Sequence, residues 1–303
     1  MLKVTLLGTG GTMPLKSRWL SSCLVTYNGH SVLIDCGEGT QIACKCTGNK
    51  FKPIDVICIT HFHADHISGL PGLLLTMSNE GRTEPVTIIG PRGIERYVRA
   101  LCIIAPNLQF DIEIAEYSHD LDFRLDDLII SAFPLRHSVF CIGYVICLPR
   151  AGKFDVEKAK NNNVPMRVWS TLQKNETVEY EGVTYTPDMV LGEQRKGLKL
   201  TYCTDTRPTP SIVENALGSD LFICEGMFGD DEKLPRAKEA GHMLFSEAAK
   251  LALESDVKRL WLTHYSPSLT EPEEYIEQAK KIFPAAESGF DGKTETLMFD
   301  QTK

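Results

Sequence analysis

The sequence predicts one α/β domain spanning residues 1–303, with an arm inserted at 149–197. Three observations predict it. Short β-rich runs alternate with helical patterns, as in layered α/β proteins. A dense histidine–aspartate segment, residues 61–66, follows an apolar strand and precedes a helix. One long stretch, mixed and charged, fits neither pattern, and an insertion of that length is usually functional.

Taken in order, apolar runs place strands at 3–7, 31–35, 55–60, 86–89, 128–133, 143–148, 199–203, 221–224 and 259–263. Helices are expected to begin near Gly69, Gly93, Ser211, Ser246 and Glu273. Ser246 has the position of an N-cap, with Glu247 and an alanine-rich run behind it and Leu251 on the apolar side. In the stretch 149–197, lysine and arginine roughly balance the acids, so it is less acidic than the whole chain.

An apolar fraction of 43% with 24% charged residues is that of a soluble globular protein, and no apolar run approaches a membrane span. The N-terminal apolar run is short and passes straight into a glycine turn without a small-residue cleavage site. It reads as a first strand and not a signal peptide. Ten cysteines form no CxxC pair, and Cys58, Cys203 and Cys224 sit inside apolar runs. Free thiols in a reducing, cytoplasmic compartment account for this better than a disulfide framework. A formal charge of −8 argues against a general nucleic-acid binder but leaves room for a local basic patch.

The chemistry concentrates in His61, His63, Asp65 and His66. Three histidines and an aspartate so close together would cost too much to bury unpaired, and imidazole with carboxylate suits zinc. Alternation lets His61 and His63 face one ion while Asp65 and His66, further round the turn, face a neighbour. His137, Asp205 and His264 each lie just past an apolar run, where loops carry function. Any one of them alone reads equally as a surface residue; together they complete two coordination spheres. Asp35 is either a hydrogen-bond partner of a ligand histidine or a turn former.

The segments HFHADH, FPLRHSVFCIGY, CTDTRP and LTHYSP resemble the ordered ligand motifs of the metallo-β-lactamase superfamily. With LLGTGGTMP and LIDCGEGTQ, they are similar to the ribonuclease Z family of tRNA 3′-processing endonucleases, over almost the whole chain. The resemblance implies a metallo-β-lactamase αβ/βα four-layer sandwich binding two zinc ions per chain. It implies His61, His63 and His137 on one ion, Asp65, His66 and His264 on the other, and Asp205 between them. It places His242 as a catalytic histidine that is not a ligand and Glu225 as the residue orienting it, with Asp65 counted beside them as catalytic. It makes the arm a grip on the tRNA body, and Lys16 and Arg18 part of a basic loop that meets the RNA end. It further implies a homodimer, precursor tRNA as partner and no membrane attachment. This sequence departs from the family pattern at Trp19, where asparagine is usual, and at Cys224, Gly226 and Met227 around Glu225. It departs again at 164–169, where Val-Pro-Met-Arg-Val-Trp replaces a glycine–proline tip of the arm.

The expected reaction is hydrolysis of a phosphodiester that leaves a 3′-hydroxyl on the tRNA and a 5′-phosphate on the trailer. A small-molecule phosphodiesterase on the same dizinc core is the alternative enzyme; an RNA-binding scaffold is the non-enzymatic one. The complete ligand set argues against a scaffold. The arm argues against a small substrate, which gains nothing from a distant charged projection.

Overall fold

Runs of buried Val, Leu, Ile and Cys side chains, pointing alternately to the two faces, build two seven-stranded sheets in the computed structural model, which describes residues 1–117 and 122–300. The first half supplies β1 (Leu2–Gly8), β2 (Ser22–Tyr27), β3 (His30–Ile34), β4 (Ile54–Cys58), β5 (Val86–Gly90) and β6 (Ile112–Glu116). The second half supplies β7 (Asp122–Leu125), β8 (Leu128–Arg136), β9 (Phe140–Arg150) and a small hairpin of β10 (Val178–Tyr180) and β11 (Val183–Tyr185). β12 (Arg195–Cys203), β13 (Leu221–Glu225), β14 (Leu260–Thr263), β15 (Ala286–Ser288) and β16 (Thr294–Leu297) follow. One sheet has the order β16-β1-β2-β3-β4-β5-β6 and the other β15-β14-β13-β12-β9-β8-β7.

The helices are α1 (Thr40–Cys46), α2 (Ala64–Ile67), α3 (Leu70–Asn79), α4 (Ile94–Leu101), α5 (Val156–Asn161), α6 (Trp169–Gln173), α7 (Pro210–Ala216), α8 (Leu234–Ala240), α9 (Phe245–Glu254) and α10 (Ile276–Ile282). Three cores separate the layers. Val4, Val25 and Val32 of the first sheet meet Ile130, Tyr144, Leu200 and Trp261 of the second between the sheets. Leu33, Ile57 and Ile88 face Ala43, Leu73 and Val98 on one outer side. Cys203, Phe222 and Leu262 face Ile212, Ala248 and Ala279 on the other. The result is a four-layer αβ/βα sandwich.

The parallel runs β3–β6 and β12–β15 carry their C-terminal ends to one edge of the sandwich, where loops gather. β4 and β5 are largely buried on both faces, which is why their sequences are rich in Val and Ile, with Asp55 and Thr87 the polar exceptions. Each strand expected from the sequence is present with ends shifted by a few residues, whereas β2, β6, β7, β10, β11, β15 and β16 and the helices α1, α2, α5, α6 and α8 go unannounced. These elements are short and rest on pairing and packing with distant segments, such as Leu2 opposite Leu297. Two helix starts differ from expectation. The segment at Glu273 is a 3₁₀ turn, and α10 begins at Ile276. Ser246 is not a cap: its hydroxyl donates to Asp231 Oδ1 (2.6 Å). The Glu247 side chain instead accepts the Leu244 N–H (3.1 Å), so the helix begins one residue earlier.

Residues 151–194 leave the second sheet between β9 and β12, which pair antiparallel from Arg150↔Arg195 up to Tyr144↔Tyr202. The stretch has a small core of its own: Ala159, Val164, Val168, Leu172, Val190 and Leu191. Asp155 Oδ1 caps α5 by accepting the Lys158 N–H (2.9 Å). The segment 164–169 is exposed only at Met166 and Arg167. Val164 and Val168 are buried, and Trp169 packs on Phe154 with its indole N–H on Val164 O (2.9 Å). These apolar side chains are drawn into the arm's core; the sharp turn lies at Glu181 and Gly182, both at positive φ, between β10 and β11.

Candidate metal centre

Four strand ends deliver the donors. β4 runs into His61 and His63, and α2 carries Asp65 and His66. The turn between β8 and β9 presents His137; Asp205 follows β12 and His264 follows β14. Asp35, Asp205 and His264 all sit at positive φ (59°, 47° and 59°), as does Thr12 (70°). Such backbone is costly away from glycine, and here it gathers where side chains are aimed at one point.

The Asp205 carboxylate is the hub. Its Oδ2 is 3.6 Å from His61 Nε2 and 3.6 Å from His137 Nε2, and His137 Nε2 is 3.4 Å from His63 Nδ1. Its Oδ1 is 3.2 Å from His66 Nε2 and 3.1 Å from His264 Nε2, and His66 Nε2 is 3.4 Å from Asp65 Oδ2. Two donor sets therefore face each other across one carboxylate: His61, His63 and His137 on one side, Asp65, His66 and His264 on the other.

Hydrogen bonds on the far side of each ring fix which nitrogen is free. His66 Nδ1 donates to Asp35 Oδ2 (2.7 Å), and His137 Nδ1 to Gly241 O (3.2 Å). His264 Nδ1 donates to Ser21 Oγ (2.9 Å), whose own proton goes to Gly10 O (3.0 Å). His61 Nδ1 donates to Thr60 Oγ1 (3.1 Å), which in turn donates to Asp35 Oδ2 (2.9 Å). Each ring has its Nδ1 engaged on the outside and its Nε2 turned inward, the arrangement that outer hydrogen bonds impose on metal-binding histidines. The Nε2 atoms of His61, His66 and His264 are buried without any hydrogen-bond partner. Orphaned polar atoms in a protein interior are rare, and three converging on a carboxylate fit a cation.

The electrostatics agree. Burial, then His66, drives the His61 pKa down to about 2, so its ring is neutral. Burial alone would lower His66, yet Asp205 and Asp35 raise it well above an ordinary histidine. Burial opposes ionisation of Asp65, but His66 and His264 hold it below the usual carboxylate range. The site demands positive charge, and among the described residues no lysine or arginine pairs with Asp35, Asp65 or Asp205. A bound cation would take the place of the proton that Asp205 and Asp35 favour on His66, and imidazole with ionised carboxylate is a donor set for zinc.

Close backbone packing makes room for the donors. A Cβ on Gly11 would lie 2.6 Å from His264 Nε2, and one on Gly37 would lie 2.0 Å from Asp65 O. The glycines of the GTGGT and CGEGT segments therefore let two loops press against ligand residues. Thr12 N–H donates to Asp65 Oδ2 (2.7 Å).

His242 stands at the edge of the centre. Its Nε2 is 4.0 Å from Asp205 Oδ2, and its Nδ1 is 3.2 Å from Glu225 Oε1. Burial works against a charged ring, but Glu225 and Asp205 outweigh it and raise His242 to about 9. Glu225 is fully buried and also accepts from Thr206 N (2.5 Å) and Met243 N (3.0 Å). Arg207 locks the same loop: it donates to His242 O (2.5 Å) and to both oxygens of Glu247. Lys16 is exposed. Arg18 donates to Leu269 O (2.7 Å) and Thr270 O (2.8 Å), with its guanidinium 5.2 Å from the centre of the Tyr265 ring. Trp19 covers Gly39, where an added Cβ would come 2.4 Å from the indole.

All seven expected ligands, with His242 and Glu225, thus share one centre, and Asp35 orients His66. Sequence reasoning missed Ser21, Thr60, Thr12 and Arg207. Ser21 is far from His264 in the chain, and a lone serine carries no spacing signal. Arg207 stands two residues after Asp205, but nothing local shows that it reaches His242.

The family model described as Anti-Pycsar protein Apyc1 matches residues 2–101. Ribonuclease Z of Lachnoclostridium phytofermentans is 56% identical over 304 residues, covering 100% of both chains. Ribonuclease Z of Agathobacter rectalis is 57% identical over 302 residues, covering 99% of this chain and 100% of the relative. The solved structure of human tRNase Z, short form, superposes with a TM-score of 0.70 at 25% identity, covering 98% of this chain and 100% of that one.

Proposed function

The chain belongs to the ribonuclease Z family, and from that premise we propose that it removes the 3′ trailer of precursor tRNA with two zinc ions held around Asp205. It is a metal-dependent endoribonuclease of tRNA 3′ processing with the metallo-β-lactamase fold. The observation that carries the dizinc reading is the pair of donor sets facing each other across one carboxylate. His61, His63, His137 and Asp205 Oδ2 would hold one ion; Asp65, His66, His264 and Asp205 Oδ1 would hold the other. Bound there, the ions supply Lewis acidity, bringing the pKa of water toward about 7 and offsetting charge on the phosphodiester.

The remaining work falls on side chains. Water adds to phosphorus as the bond to the tRNA 3′-oxygen breaks, and that oxygen needs a proton. His242 Nε2 is the donor, while Glu225 accepts from Nδ1 and keeps the ring charged and oriented. The products are a 3′-hydroxyl tRNA and a 5′-phosphorylated trailer. Asp65 contributes by holding its ion, fixed by the Thr12 N–H. Lys16 and Arg18 lie on the loop that leads away from the centre. Incubation with a precursor tRNA, mapping of the cut and metal analysis test this reading. A single cut leaving a 3′-hydroxyl, with two zinc ions per chain, is expected; cleavage of small diesters but never of precursor would overturn it.

The arm is proposed as the grip on the tRNA body, inserted into a single catalytic domain. The centre lies beyond the Phe140 end of β9 and the arm beyond its Arg150 end, so the strand's 11 residues set the separation. At about 3.4 Å per residue, that is roughly 35 Å. The arm's root therefore stands far from the chain's own cleavage site. A homodimer in which each arm serves the partner's site satisfies the geometry, and light scattering at micromolar concentration should read two chains. Deleting residues 153–195 is expected to raise KM for precursor tRNA and flatten its salt dependence. Turnover of a nitrophenyl phosphodiester should be spared. Unchanged tRNA cleavage would remove the arm from substrate binding. A cytoplasmic location fits the task and the ten free thiols; recovery in a membrane or secreted fraction would count against it.

A further inference from the structure

Two segments that reach the centre, one from each sheet, carry an aromatic ring that is not a ligand. Phe62 lies between His61 and His63 and stacks on Tyr97 of α4, with centroids 4.0 Å apart and planes 20° apart. Phe140, three residues past His137, meets Tyr117 with centroids 5.8 Å apart and planes tilted by 47°. The pairs share one edge of the sandwich. Phe62 follows the end of β4, Tyr97 stands on the helix that β5 leads into, and Tyr117 follows β6 with its N–H on Gly90 O (2.7 Å). The Ile142 N–H on Thr60 O (3.0 Å) ties the Phe140 strand to the Phe62 loop.

Phe62 has core to cover, but Tyr97 and Phe140 remain 43% and 51% exposed. Ring surface left in water beside a reactive centre is surface available to a ligand. The exposed Arg92 and Arg96 lie between Gly90 and Tyr97 and form no ion pair among the described residues, whereas Arg99 pairs with Glu95. Exposed aromatics beside unpaired arginines are the components of a single-strand RNA surface: rings take bases and guanidiniums take phosphates. In a chain of net charge −8, such attraction must be local.

We infer that this aromatic rim binds the unpaired RNA that continues on the 3′ side of the cut, its bases stacking on Phe140 and Tyr97 and its phosphates meeting Arg92 and Arg96. The inference rests on the tRNA-processing reading. The acceptor stem on the tRNA side of the cut is base-paired, whereas the trailer beyond the cut is a single strand, so the trailer is the RNA with bases free to stack on the rim. Stacking accepts any base, because every base has a π-face, and so it suits a strand without a fixed sequence.

The test compares two precursor tRNAs with trailers of about five nucleotides, near the lower end of stacking-site sizes. One trailer carries bases and the other is abasic with the same phosphates. For the wild-type protein, KM should be about 5- to 100-fold lower with bases than without. Tyr97→Ala and Phe140→Ala should each bring that ratio toward one, and Phe140→Trp should preserve it. Zinc content and turnover of a nitrophenyl phosphodiester should not change in these variants. A ratio unaltered by both alanine substitutions would overturn the rim proposal while leaving the tRNA reading intact. So would a wild-type protein that cleaves both precursors with equal KM. Cleavage of neither precursor, with the small diester still hydrolysed, would overturn both.

Discussion

Asp205→Ala is expected to release both metal ions and abolish phosphodiester hydrolysis. The two oxygens of this carboxylate face different donor sets, His61 and His137 on one side and His66 and His264 on the other. Removing it takes a donor from both ions at once and leaves inward-facing imidazoles without the charge that balances a dication. Lewis-acid stabilisation is worth several kcal/mol, so kcat should fall by about 10³-fold or more. Elemental analysis of protein purified without chelator, alongside turnover of a nitrophenyl phosphodiester, is the measurement. Circular dichroism should show the sandwich intact, because its three cores lie outside the centre. Two ions retained in this variant would show that Asp205 is not the shared ligand.

His242→Ala should separate chemistry from metal binding. A positioned general acid contributes roughly 10²–10⁴-fold, and kcat should fall by that factor while KM and zinc content stay near wild type. The loop should keep its shape, because its anchors are backbone atoms. Gly241 O accepts from His137, His242 O accepts from Arg207, and Met243 N donates to Glu225. None of them needs the imidazole. Near-normal turnover would remove His242 from the mechanism. Loss of one zinc would make it a ligand, a role its place beside Asp205 and His264 also permits geometrically.

Much of this was legible in the chain. The β4 and β5 runs are rich in Val and Ile because both faces are largely buried, and the ligand segment stands out because three histidines and an aspartate have no reason to crowd a strand end unless something binds them. Legibility failed where contacts are distant. The cap expected at Ser246 fell to Glu247, because the serine hydroxyl found Asp231 in a neighbouring loop. The 164–169 segment reads as an altered tip against the family pattern, yet Val164 and Val168 belong to the arm's interior and Trp169 packs against it. Arg18 reads as a free cation, yet both its terminal nitrogens are engaged by the carbonyls of Leu269 and Thr270.

The sequence by itself determined the fold class, the donor types and the strand ends on which they stand, because periodicity, apolar runs and ligand spacing are local properties written along the chain. Only the tertiary structure decided how those donors divide around Asp205 and which nitrogen each histidine turns inward. It also decided that Arg207 holds the His242 loop and that Tyr97 and Phe140 expose their rings at one edge. The reason is physical: hydrogen bonds such as His66–Asp35 and His264–Ser21 join residues 31 and 243 positions apart, and no local pattern records a contact that only the packing of two sheets creates.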